Sequence, residues 1–144
     1  MSAANVLKFI KEKEAEFIDL RFTDPRGKLQ HLTMDHSVVD EEMLNEGVFF
    51  DGSSIAGWKA INESDMILKP DTSRMIMDPF TSHNTVVLFC DILDAVKKTP
   101  YERDPRGVAK KAEEYLKSSG IGDNAFFGPE PEFFVFDDVR ISND

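Results

Sequence analysis

Between Glu16 and Thr23 apolar and polar residues alternate with period two, Ile18, Leu20 and Phe22 against Asp19 and Arg21, which predicts a half-buried strand. Asp24-Pro25-Arg26-Gly27 follows, with proline second and glycine fourth as a β-turn favours, so Lys28 to Met34 is expected back as the second strand of a hairpin. Ahead of it, Val6, Phe9 and Ile10 recur at helical spacing behind Ser2, predicting an amphipathic helix to about Glu14 with Ser2 as its N-cap. Asp40 is placed to cap a helix of under two turns through Met43 and Leu44, with Gly47 stopping it. Extended runs are expected at Met66 to Leu68, Arg74 to Met77 and Thr85 to Leu93, separated by Pro70-Asp71 and by Pro79 to Asn84. These elements make a small mixed sheet with little helix, an α+β arrangement.

Asp94 to Asp104, with Pro100 and the charged Glu102-Arg103-Asp104, reads as a linker. Asp104-Pro105 is a helix start, an N-cap followed by proline in the first turn. Val108, Ala112, Tyr115 and Leu116 give an apolar stripe, and Gly120 closes the helix.

The segment Gly128-Pro129-Glu130-Pro131-Glu132-Phe133-Phe134 resists helix formation, because each proline fixes its own φ and pushes the residue before it toward extended geometry. Glu130 and Glu132 are therefore expected on a strand, side chains on one face and Cα atoms about 6.5–7 Å apart. Phe134 and Phe136 continue that face while Phe133 and Val135 fill the other, which predicts a strand buried on both sides. Two acids so placed repel unless cations lie between them, and carboxylate oxygens suit hard divalent ions such as Mg²⁺ or Mn²⁺. The alternative is a solvated acidic strand end. A helix and one or two strands cannot bury so much aromatic surface alone, so 104–144 is expected to open a larger domain whose remainder lies beyond Asp144.

Composition narrows the function. Among 144 residues, 41% are hydrophobic and 31% charged, and 27 acids against 17 bases give a net charge of −10. That balance opposes binding to nucleic acid or to anionic membranes. Cys90 is the single cysteine and sits in the apolar run Thr85-Val86-Val87-Leu88-Phe89-Cys90, where a buried, inert thiol in a reducing, cytoplasmic setting is expected. Neither an export leader nor a membrane span is expected, since no basic start precedes a long apolar core and no run of about 18 apolar residues occurs.

A second candidate site is Phe50-Asp51-Gly52-Ser53-Ser54, with Trp58 beyond it and then Glu63-Ser64-Asp65. By itself Asp-Gly-Ser-Ser makes a turn; alternatively, it presents a fixed carboxylate and two hydroxyls to a ligand, with an indole to exclude water or to stack on a cation or flat ring. Together the two segments resemble the class I bacterial glutamine synthetases. The likeness rests on Phe50-Asp51-Gly52-Ser53-Ser54, an eight-residue spacer, Glu63-Ser64-Asp65 and Leu68, and on Phe127-Gly128-Pro129-Glu130-Pro131-Glu132-Phe133-Phe134. Asp19-Leu20-Arg21-Phe22-Thr23-Asp24, Asp78-Pro79-Phe80 and Arg103-Asp104-Pro105-Arg106 are similar to the family as well.

The resemblance implies an ATP-dependent glutamate–ammonia ligase that works through γ-glutamyl phosphate at a site with two divalent ions, Mg²⁺ or Mn²⁺. It implies that Glu130 holds the ion beside the nucleotide phosphates, that Glu132 holds the ion nearer the amino acid, and that Asp51 binds ammonium and helps remove its proton. Ser53, Ser54 and Trp58 would shape the substrate entrance. The implied assembly is a homo-dodecamer in which the Asp51 loop of one subunit reaches the metal site of the next. The implied organisation is an amino-terminal helix (1–15), a β-grasp domain (16–98), a linker (99–103) and the start of the catalytic domain (104–144), a piece inactive alone. His31, His36 and His83 match no metal-binding word and are expected as surface or strand histidines, and Arg103 and Arg106 as linker and helix-surface charges. Two other readings stay open: a free-standing β-grasp binding or assembly module, and a metal-dependent phosphatase built on the paired carboxylates.

Overall fold

The computed structural model describes residues 2–58 and 64–142, so Glu63 of the acid-Ser-acid word lies outside the described residues. Helix α1 (Ala3–Glu12) leads into strands β1 (Phe17–Thr23) and β2 (Leu29–Asp35), helix α2 (Glu41–Glu46) and strands β3 (Val48–Asp51), β4 (Asp65–Pro70), β5 (Ile76–Met77) and β6 (Thr85–Asp94). Helix α3 (Pro105–Ser119) follows. The sheet runs β2-β1-β6-β4-β3, with β5 paired to β6. β1 and β6 are parallel, Phe17 beside Thr85 to Arg21 beside Phe89, and the other pairings are antiparallel.

The hairpin forms as its turn residues require. Asp24 Oδ1 accepts from the backbone N–H groups of Arg26 and Lys28, both at 2.9 Å, and the chain reverses at Gly27. Along β1 the period-two pattern is obeyed: Ile18, Leu20 and Phe22 enter the core beside Val86, Leu88, Cys90, Met66 and Leu68. Val6 and Ile10 of α1 and Leu44 of α2 close over that face. Asp40 caps α2 by accepting from Met43 N–H at 2.7 Å, and Lys69 of β4 donates to the carbonyls of Leu44 and Asn45 at the other end. Gly47 then turns the chain at φ +87°, so close to β4 that a Cβ would stand 2.5 Å from Leu68 O.

Several elements differ from expectation. Ser2 sits at the N-cap but makes no side-chain bond, and α1 ends at Glu12 rather than near Glu14. The extended run at 74–77 shrinks to Ile76–Met77, which among the described residues pairs with Val86 and Val87 of β6. Strand β3 was not anticipated; its partner β4 and the Gly47 turn create it. The predicted strand around 128–136 is neither strand nor buried: Phe133, Phe134 and Val135 are each over four-fifths exposed. A strand needs a neighbour to take its backbone hydrogen bonds, and none reaches this segment among the described residues. Extended geometry does persist locally, since the rings of Phe134 and Phe136 lie on one side with centroids 6.1 Å apart.

Helix α3 has the predicted N-cap, Asp104 Oδ1 accepting from Arg106 N–H at 3.1 Å, with Pro105 in the first turn. Its apolar stripe is not buried; Val108 and Tyr115 are exposed. Ion pairs dock it on the outer face of the sheet instead. Arg106 Nε bonds Asp91 at 2.8 Å, Arg106 Nη2 bonds Asp71, and Lys110 bonds Asp91 at 2.5 Å.

Candidate functional site

Asp51 ends β3 opposite Asp65 of β4, so both carboxylates stand on the face turned away from Phe50 and Met66. A short 3₁₀ turn, Gly52–Ser54, follows. Its first residue is buried, Gly52 N–H donates to Ser64 O at 2.7 Å, and a Cβ on Gly52 would stand 2.3 Å from Met66 Sδ. Only glycine lets the backbone lie this close to β4. The turn therefore leaves the sheet in one direction, and Asp51 is fixed at its root.

The Asp51 carboxylate is exposed and accepts from Ser53 N–H at 2.8 Å. Hydrogen bonds from the Ser53 hydroxyl, the Ser53 backbone and the Ser64 hydroxyl hold it below the usual carboxylate range against a small opposing effect of desolvation. At neutral pH this is an ionised, solvent-facing carboxylate at the start of a hydrogen-bonded turn. Ser53 is half-buried and Ser54 exposed.

Trp58 is 5% exposed and lies inside, not on the surface. Its indole stacks on Phe22 with centroids 5.6 Å apart and meets Phe50 and Tyr101 edge-on. Its Nε1–H is buried without a hydrogen-bond partner. The indole thus contributes as the anchor of the turn that begins at Asp51.

Glu130 and Glu132 are exposed on the segment beyond α3. Among the described residues no hydrogen bond or ion pair joins them to Asp51, and no group of three or more His, Cys, Asp or Glu side chains is gathered to hold a metal ion. Their oxygens suit a hard divalent cation in kind, but two carboxylates fall short of the six or more ligands such an ion takes.

The histidines are more than half exposed where they meet acids: His31 Nδ1 lies 2.8 Å from Asp19 Oδ1 and His83 Nδ1 lies 3.1 Å from Glu16 Oε2. Asp19 is itself buried. Burial pushes its carboxyl up, but bonds from Thr33, His31 and Arg21 outweigh that and hold it low. Arg21 also reaches Asp78, making a polar cluster on the outer face of β1. Cys90 is buried as expected, and desolvation pushes its thiol far up. No helix among the described residues is long and apolar enough to cross a membrane.

Residues 14–95 match the family described as the glutamine synthetase beta-Grasp domain, and residues 102–144 match the glutamine synthetase catalytic domain. The chain belongs to the glutamine synthetase family. It is 66% identical over 145 residues to a glutamine synthetase of Rhizobium meliloti (strain 1021), covering 100% of this chain and 31% of that protein. It is 54% identical over 143 residues to the glutamine synthetase of Escherichia coli (strain K12), covering 99% of this chain and 30% of that one. The cryo-EM structure of Plasmodium falciparum glutamine synthetase has the same fold over 83% of this chain and 23% of that chain, with a TM-score of 0.75 at 24% identity. The chain thus spans about 30% of the length of the curated relatives it matches. The six strands and α2 fall within the residues that match the glutamine synthetase β-grasp family, and a free-standing β-grasp binding or assembly module is not favoured.

Proposed function

We propose that this chain supplies part of an ATP-dependent glutamate–ammonia ligase: the carboxylate that receives ammonium, Asp51, and two oxygen ligands for divalent cations, Glu130 and Glu132. The observation that carries the proposal is the Asp51 turn. It offers a solvent-facing carboxylate, kept ionised by Ser53 and Ser64, with its backbone locked onto β4 through Gly52.

An ionised carboxylate attracts ammonium by charge and by accepting N–H bonds. Ammonium has no free lone pair, so one proton must leave nitrogen before or as it attacks. Asp51 accepts that proton from ammonium and releases it to water; as the ammonia so formed bonds to the γ-carbonyl carbon of γ-glutamyl phosphate, its nitrogen becomes acidic and gives up a second proton to water. Phosphate departs with the electrons of the broken C–O bond, leaving the amide of glutamine. The depressed affinity of Asp51 for protons favours holding the cation and then releasing the proton to water. Ser53 orients the carboxylate, and Trp58 serves the entrance by anchoring the turn.

Mg²⁺ or Mn²⁺, when bound, would neutralise phosphate charge at this site, with Glu130 and Glu132 among the ligands. The chain's own donor set is partial, so the remaining ligands, the nucleotide and glutamate contacts belong to chain beyond these residues, and this segment alone is inactive. Other copies of the subunit, in a homo-dodecamer, would bring the Asp51 turn of one to the cation ligands of another. The setting is cytoplasmic, consistent with a lone, buried thiol.

The test uses a complete glutamine synthetase subunit carrying this segment. Asp51→Asn should raise KM for ammonium and lower kcat while KM for glutamate and ATP stay put. Hydroxylamine is a nucleophile without prior deprotonation at neutral pH, so hydroxamate formation should suffer less. Equal losses with both nucleophiles would refute the assignment.

A further inference from the structure

Residues 99–103 run along the side of β6 that β1 no longer covers beyond Phe89. Tyr101 N–H donates to Ile92 O and Asp94 N–H to Thr99 O, both at 2.9 Å, and Asp104 Oδ2 accepts from Ile92 N–H at 3.2 Å. Both backbone groups of Ile92 are thereby taken, one by Tyr101 and the other by Asp104 just beyond, which makes the segment an anchored strut. From the strut two side chains reach the turn behind Asp51. The Tyr101 hydroxyl donates to Trp58 O at 3.0 Å, and Arg103 Nη1 donates to Gly57 O at 2.8 Å. The Tyr101 ring also meets the indole edge-on, centroids 5.8 Å apart, and the indole leans on Phe22 and on Phe50, the residue before Asp51.

We propose that Tyr101 and Arg103 are positioning residues for Asp51, gripping the far end of its turn so that the segment leading into α3 sets where the carboxylate stands. This rests on the reading of Asp51 as the ammonium-receiving group. β3 and Gly52 fix the turn at its start, and the two carbonyl contacts fix it at its end. Movement of the strut is therefore passed to the carboxylate through Gly57 and Trp58 rather than through the sheet. The strut borders an open cleft of about 320 Å³ lined by Trp58, Lys97, Thr99 and Tyr101.

The variants are Tyr101→Phe, which keeps the ring and removes only the hydroxyl, and Tyr101→Phe/Arg103→Gln. In this chain the Asp51 titration, followed by carbon-detected NMR, should move toward the ordinary carboxylate range by roughly half a pH unit in the double variant. Asp24, held in the opposite hairpin by its own turn, is the internal control and should not move. In a complete subunit the same variants should raise KM for ammonium several-fold and leave KM for glutamate and ATP unchanged. Arg103→Lys restores a donor to Gly57 O and should recover part of the loss. An unmoved Asp51 titration in the double variant overturns the coupling, whatever its melting temperature. A moved titration with an unmoved ammonium KM keeps the coupling and overturns instead the role given to Asp51, which Asp51→Asn tests separately.

Discussion

Asp104 offers the sharpest test of how the two parts of the chain are joined. One oxygen caps α3 through Arg106 N–H, the other accepts from Ile92 N–H in β6, and the residue is 1% exposed. Replacing it with alanine removes an N-cap worth about 1 kcal/mol. The same change leaves a buried Ile92 N–H without an acceptor, at about 1–3 kcal/mol. The sum, about 2–4 kcal/mol, is a large part of the 5–15 kcal/mol typical of a domain. Asp40→Ala is the natural comparison: Asp40 caps α2 through Met43 N–H but is exposed, so only the cap is lost, about 1 kcal/mol. Urea titrations read by fluorescence of Trp58, the single tryptophan, measure both. Equal losses in the two variants would refute the claim that Asp104 bridges α3 to the sheet. Burial also pushes the Asp104 carboxyl above its ordinary range, against its three backbone hydrogen bonds. A raised folded-state value favours the protonated form, so this contribution is full below the unfolded value, about 3.9, and fades as pH rises through the folded one. Asp104→Asn should abolish that component of the pH dependence.

Gly52→Ala should destabilise by about 1–3 kcal/mol, because its methyl meets Met66 and the Ser64 carbonyl; a thermal melt checks it, and an unchanged midpoint would contradict the packing described. Asp19, Asp71 and Asp78 are all held below the ordinary carboxylate range, so their stabilisation is present above about pH 4 and is lost as pH falls through the folded values. Asp19→Asn should flatten the acid side of a stability–pH curve, and an unaltered slope would count against the cluster. Arg106→Met should speed hydrogen exchange in the first turns of α3 while leaving β1 and β6 protected, since ion pairs rather than apolar packing hold that helix.

The hairpin, both capped helices and the long strand β6 were legible because local chemistry decides them: alternation at 18–22, turn residues at 24–27, caps at Asp40 and Asp104. What was not legible depends on distant partners. Val48 to Asp51 becomes a strand only because β4 lies beside it. Glu130 to Phe136 carries strong extended signals and still forms no strand, because pattern supplies a preference and a neighbour supplies the hydrogen bonds. Asp51 was readable as a candidate from its turn, and so were Ser53 and Ser54. The inward position of Trp58 was not, since it is set by Phe22 and Tyr101, far off in the chain. The roles of Arg103 and Arg106 were missed for the same reason: their acceptors, Gly57 O and the carboxylates of Asp71 and Asp91, come from other parts of the sequence.

Strand β6 touches nearly everything: its first half pairs with β1 and β5 and its second with β4 and the strut. On a ribosome, the β1–β2 hairpin can close early, yet the centre of the sheet stays vacant until residue 94 has emerged, because Phe17 must wait for Thr85. During that interval the inner sides of β1 and β4 face water. Slowing synthesis just before Thr85 should therefore lengthen a sticky, chaperone-dependent stage, whereas a pause after β6 has cleared the exit tunnel should be harmless to the sheet.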